Sequence, residues 1–210
     1  MMSLQLWLVY LVAALGLSLT PGPNGLLALT HGARFGLRPA AWTVLGGALG
    51  FLLLIAASLA GMGALLAASH TAFTAAKWAG AAYLVFLGIR LWRSPAPVVS
   101  APALAAPGGR DAAQPLRLFG DGLLVAVSNP KAMLFFAAFL PQFMVPGASF
   151  AAQLLLLGGT FVVVEVAYEL LLASLAGRIA PWLGRHGRAF NRAAGGTFVG
   201  IGAVLASSGR

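Results

Sequence analysis

Three stretches of this chain carry no Asp, Glu, Lys or Arg: Met1–Ala33, Pro39–Ala76 and Ala132–Val164, of 33, 38 and 33 residues. A bilayer span needs about 20 mostly apolar residues, so each stretch holds at least one. Six helices are expected: Leu4–Leu29, Ala40–Ala68, Phe73–Trp92, Leu118–Met144, Phe150–Ala176 and Phe190–Ala206. Between the third and fourth lies Ser94–Pro115, with Pro95, Pro97, Pro102, Pro107 and Pro115 among Ala, Gly and Ser. That composition cannot bury a core and reads as a flexible linker. It divides the chain into 1–93, a linker at 94–115, and 116–210.

Composition narrows the class. Of 210 residues, 60% are hydrophobic and 8% charged, with a mean hydropathy of +0.92. Soluble domains carry about 25% charged residues. The expectation is an all-α polytopic membrane protein, which excludes a soluble enzyme and a nucleic-acid-binding domain despite a net charge of +9. With no cysteine there is no disulfide framework or thiolate metal site. The start, Met1-Met2-Ser3-Leu4-Gln5, has no basic n-region, so no removed signal peptide is expected.

The positions of the charges say more than their sum. Arg34, Arg38, Arg90, Arg93, Arg110, Arg117, Arg178, Arg185, Arg188 and Arg192 fall on odd-numbered loops and their flanks; of the outer loops and termini, only Arg210 is basic. The positive-inside rule then puts the odd loops in the cytoplasm and both termini outside. A five-span reading would move Arg210 inward. Three helices per half force two like halves to insert in opposite senses, the inverted-repeat plan of many secondary transporters. The first span of each half carries a proline motif, Thr20-Pro21-Gly22-Pro23-Asn24 and Ser128-Asn129-Pro130-Lys131. The second opens on paired glycines, Gly46-Gly47 and Gly158-Gly159.

Proline lacks an N–H and clashes with the turn before it, so both first spans should break. Broken backbone at membrane depth is tolerated only when buried in protein or lining a wet cavity. Pro23 and Pro130 would each restart a half-helix as its first residue, and the free N–H groups there suit a carboxylate. Pro21, Gly22, Pro23 and Asn24, with Asn129, Pro130 and Lys131, are therefore the expected substrate-binding residues. The bland alternative is a packing kink. Lys131 could hold a carboxylate, pair with an acid, or snorkel, since a charge at the bilayer centre costs about 2.5–3.5 kcal/mol.

Glu165 and Glu169 share a helix face at i, i+4 spacing. Glu165, near mid-span, could take up and release a proton or hold a substrate ammonium; a structural pair with Lys131 or Lys77 is the alternative. Lys77 reads as a snorkelling residue. Gly46/Gly50 and Gly196/Gly200 are small-residue faces for helix packing or a homodimer. Trp7, Tyr10, Trp42, Trp78, Tyr83 and Trp92 read as interfacial anchors. His31, His70 and His186 are scattered, so no metal site and no cofactor are expected. No phosphate-binding glycine motif and no nucleophile with a paired base are present, which argues against ATP hydrolysis and against an enzyme.

Taken in order, these pieces resemble the lysine exporter and homoserine/threonine resistance family of bacterial amino-acid exporters. The resemblance rests on Ser18-Leu19-Thr20-Pro21-Gly22-Pro23-Asn24, Lys77-Trp78-Ala79-Gly80-Ala81-Ala82-Tyr83-Leu84 with Gly88, and Gly120-Asp121-Gly122. It continues through Ser128-Asn129-Pro130-Lys131-Ala132, Phe135-Phe136, Pro141-Gln142-Phe143, Glu165 and the closing Gly195–Gly202. It implies export of amino acids or their derivatives from the cytoplasm, driven by the proton gradient; alternating access is the expected mechanism, and no nucleic-acid partner is expected from the composition. Some members carry Asp at the position of Asn24, which leaves Glu165 as the better proton carrier and puts a preference for cationic substrates in doubt. Rival expectations are an exporter of another solute or metal ion and a structural subunit of a membrane complex.

Overall fold

The computed structural model describes residues 2–20, 22–95 and 114–207, and every regular element among them is helical. Pro21, most of the linker and Arg210 lie outside the described residues, as does the side chain of Lys77. Helix α1 (Leu4–Leu19) begins under a Ser3 cap, whose hydroxyl accepts from Leu6 N at 3.3 Å. After a break comes α2 (Pro23–Phe35), bent 55° from α1. Gly36, at φ +84°, turns the chain into α3 (Leu37–Ala68); that left-handed conformation suits a residue without a Cβ. Ser69 caps α4 (His70–Arg93) by accepting from Ala72 N at 3.2 Å.

The second half opens with α5 (Pro115–Val127), then α6 (Pro130–Phe139), bent 52° from it and prolonged by a 3₁₀ turn at Leu140–Gln142. Helix α7 (Phe150–Gln153) passes through a π-helical turn at Leu154–Gly158 into α8 (Gly159–Ser174). Tyr10 Oη donates to the Leu157 carbonyl in that turn at 2.8 Å. Such inserted turns loosen the usual helix pairing, and Tyr10 takes up an acceptor there. Tyr10 is therefore buried, at 1% exposure, rather than an interfacial anchor. Trp42, Trp78 and Trp92 are exposed, consistent with anchoring.

Helix α9 (Ala176–Ser207) is continuous. The expected loop before the sixth span is thus helical, and Arg178, Arg185, Arg188 and Arg192 ride on its first two thirds. Arginine, alanine and leucine are strong helix formers, and the helix runs on through Pro181, Gly184 and Gly187. By length and apolarity, α3, α4 and Phe150–Ser174 can each cross a membrane, and the bent pairs α1–α2 and α5–α6 raise the number to five among the described residues. The sixth expected span falls within α9, which is not among them. Outward-facing Leu8, Val12, Leu15, Leu45, Leu49, Leu53, Leu124 and Val163 are exposed, as lipid-facing side chains should be.

Inside, Tyr10, Phe51, Phe135, Phe136, Phe139, Phe143, Phe161 and Phe198 belong to one buried cluster. Most of their rings meet edge-on or tilted, for example Phe136–Phe161 at 4.9 Å and 87°, and Tyr10 stacks on Phe139 at 5.7 Å and 20°, arrangements that aromatic quadrupoles favour. Helices α3 and α5 touch backbone to backbone at Gly46 and Gly122: a Cβ on either would collide with the other helix, at Phe119 and Thr43 respectively. Gly50 faces Ala126 in the same seam. The first small-residue face is therefore used within the chain. In the second, Gly196 faces the Trp92 ring, whereas Gly200 has open space around it.

Candidate functional site

The first break follows from local chemistry. A residue before proline is pushed out of the helical region, and Thr20 is extended at φ −70°, ψ 118°. Thr20 folds back on α1: its N–H reaches the Gly16 and Leu17 carbonyls at 3.2 Å each, and its hydroxyl donates to Gly16 O at 2.7 Å. Gly22 then precedes α2 in extended conformation, with Pro23 at the first helical position and no side chain capping the helix start.

The second break is closed differently. Asn129 caps α6, its Oδ1 accepting from Lys131 N at 3.0 Å and Ala132 N at 3.4 Å. Its Nδ2 donates to Asn24 Oδ1 at 3.2 Å, which joins the two breaks side by side. The Lys131 side chain crosses to the other break, where Nζ donates to the carbonyls of Thr20 at 2.9 Å and Leu17 at 3.3 Å. It thus caps the C-terminus of α1, where orphan carbonyls and the negative end of the helix dipole favour a cation. A Cβ at Gly22 would lie 2.9 Å from that nitrogen, so the glycine makes room for it.

Helix α8 supplies the acids. Glu165 and Glu169 are buried, at 6% and 2% exposure. They are in hydrogen-bonding contact with each other, with Ser18 beside Glu165 and the Lys131 charge facing both. Ser18 Oγ, Glu165 Oε2 and Glu169 Oε1 are buried without a hydrogen-bond partner. Tyr168 Oη points to the Leu19 carbonyl at 3.5 Å.

These groups surround a cavity of about 20 Å³ lined by Ser18, Thr20, Gly22, Asn24, Asn129, Lys131 and Glu165, with Phe51 and Phe161 as apolar wall. That volume holds one water and no amino acid, so the conformation is closed around the site. Buried polar groups left unpaired carry a desolvation penalty of about 1–3 kcal/mol each. Two of them, on Ser18 and Glu165, belong to residues that line this cavity, which marks a place suited to a polar partner. Anion-attracting N–H groups at the α2 start and cation-attracting carboxylates stand on opposite elements, which suits a zwitterion.

Of the residues expected from sequence, Gly22, Asn24, Asn129, Lys131 and Glu165 line this cavity. Pro23 and Pro130 start the half-helices but do not line it, and Pro21 lies outside the described residues. Ser18, Thr20, Gly25, Phe51 and Phe161 were not anticipated as lining. Ser18 and Thr20 sit within one turn of the proline motif, a usable signal; Phe51 and Phe161 look like any core phenylalanine. His31, expected to be near a loop, is buried and paired with Thr43 Oγ1 through Nδ1 at 2.7 Å. Among the described residues no group of three or more His, Cys, Asp or Glu is placed to hold a metal ion.

Comparison with known proteins gives a consistent result. A model of the family described as LysE type translocator matches residues 15–209. A homoserine/homoserine lactone efflux protein of Salmonella typhi is 38% identical over 209 residues, covering 99% of this chain and 98% of its own length. An uncharacterized membrane protein of Vibrio cholerae is 34% identical, over 99% of both chains. A leucine efflux protein of Enterobacter sp. (strain 638) is 28% identical over 97% of this chain and 96% of its own. No solved structure matches.

Proposed function

The chain belongs to the LysE type translocator family, which makes it a multi-pass membrane transporter rather than an enzyme, and from that premise we propose that it exports amino acids or their derivatives by proton-driven alternating access. The observation that carries this reading is the joint of the two helix breaks around a cavity lined by Glu165, whose Oε2 is buried without a hydrogen-bond partner. The substrate carboxylate docks on the N–H groups at the start of α2, where no side chain competes. Its ammonium meets Glu165. An ion pair about 4 Å apart at an effective dielectric of ~20 contributes roughly 4 kcal/mol before desolvation, enough to bias a transport cycle. A proton arriving from outside at the Glu165–Glu169 pair neutralises that hold and releases the substrate.

The closed cavity corresponds to an occluded step, with opening at the bends in the two broken spans. The halves 1–93 and 116–210 act as inverted repeats, each beginning with a broken span. Arg34, Arg38, Arg90, Arg93 and Arg117 at the helix ends set the cytoplasmic face in an inner membrane. The names of the relatives point to small neutral substrates of the homoserine and leucine type.

The test is efflux from proteoliposomes loaded with a mixture of labelled amino acids under an inward proton gradient. Selective, gradient-dependent loss of neutral amino acids is the expected result. Retention of all of them by folded protein overturns the reading.

A further inference from the structure

We propose that Lys131 is a specificity-determining residue: its ammonium excludes amino acids with a cationic side chain from the site. The inference rests on the export reading above and deepens it. Lys131 Nζ is seated on two carbonyls from the end of α1, those of Thr20 and Leu17. These acceptors, freed by the helix break, are the natural seat for a second substrate cation. The same ammonium borders the cavity together with Glu165 and faces both glutamates of α8.

Charge bookkeeping at the site then favours one substrate class. Glu165 and Glu169 stand side by side on α8, where like charges disfavour ionisation of both, so the balance of the site is one negative charge opposite the one positive charge of Lys131. A zwitterion with an uncharged side chain leaves that balance intact. A lysine- or ornithine-like substrate adds a positive charge beside Lys131 in a low-dielectric pocket, where like charges repel strongly. Asn24, paired to Asn129, adds no negative charge to offset it. The stem of Lys131 is held between Gly22 and α1, so the ammonium cannot swing away without losing both carbonyls.

The experiment measures efflux of labelled homoserine and labelled lysine from proteoliposomes containing the wild type, Lys131→Gln or Lys131→Arg, under an inward proton gradient. Glutamine keeps a donor for the α1 carbonyls and removes the charge; arginine keeps the charge. The ratio of lysine to homoserine efflux should rise at least tenfold in K131Q, a change of ~1.4 kcal/mol, and stay at the wild-type value in K131R. An unchanged ratio in K131Q overturns the inference while leaving the export reading in place. Wild-type protein that moves neither amino acid overturns the export reading itself. Should K131Q fail to fold, competition on the wild type decides. Excess internal lysine must leave homoserine efflux undiminished, and inhibition by lysine overturns the inference.

Discussion

The two helix breaks share a sequence plan and differ in how they are closed. Each places proline at the first position of a new half-helix. At the second break the residue before that proline is Asn129, and its side chain takes two of the free N–H groups of α6. At the first it is Gly22, which has no side chain to offer. One helix start is therefore sealed and braces the joint, while the other faces the cavity with its donors available. Lys131 accentuates the difference, since it belongs to the sealed break yet caps the helix that ends at the open one. The two proline motifs thus differ by one residue at each helix cap, and in the proposed mechanism that residue divides support from binding.

Changes at the caps should separate the roles. Asn129→Ala removes the α6 cap, worth about 1 kcal/mol, and leaves Asn24 Oδ1 buried without its donor, worth about 1–3 kcal/mol more. A fall in thermal stability of the detergent-solubilised protein by that sum is expected, along with lost transport; unchanged stability would show that the second break is not the brace. Gly22→Asn copies the sealed cap onto the open break. Its side chain should occupy the α2 donors and raise the half-saturating substrate concentration at least tenfold, or ~1.4 kcal/mol, while its Cβ pushes Lys131 Nζ off the α1 carbonyls and lowers the melting temperature. An unchanged half-saturating concentration would erase the distinction.

Asn24→Ala cuts the link between the breaks from the other side. Asn129 keeps its cap bonds and loses only the Nδ2 partner, so about 1 kcal/mol of destabilisation is expected in urea or heat unfolding. The smallest effect belongs to Tyr168→Phe. Its 3.5 Å contact to Leu19 O is at the limit of hydrogen-bond geometry, and substitution should change stability by less than about 0.5 kcal/mol and leave efflux intact.

Much of this was legible before any coordinates. Two prolines around Gly22, and another after Asn129, disfavour an unbroken helix at those points, and Glu165 is an acid fifteen residues into an apolar span. Local rules reach that far because they concern backbone sterics and burial cost. They do not say that Lys131 crosses to Leu17 and Thr20, 114 and 111 residues away, or that Asn129 meets Asn24 at a separation of 105. Such contacts depend on how the half-helices pack, which glycine contacts such as Gly46 on Phe119 decide. For the same reason Tyr10 read as an anchor near a helix end, whereas the π-helical turn in the facing helix offers its hydroxyl a buried acceptor. The stretch 177–189 carries Arg178, Arg185 and Arg188 and reads as a loop, yet α9 runs through it, Pro181 included.

In the proposed mechanism the joined breaks form one site in which Glu165 couples substrate to proton. The most direct test compares the wild type with Glu165→Gln in proteoliposomes loaded with labelled homoserine, with and without an inward proton gradient. The gradient should accelerate efflux from the wild type and have no effect on the variant, which remains folded and inserted. Full gradient-driven efflux from Glu165→Gln would contradict it.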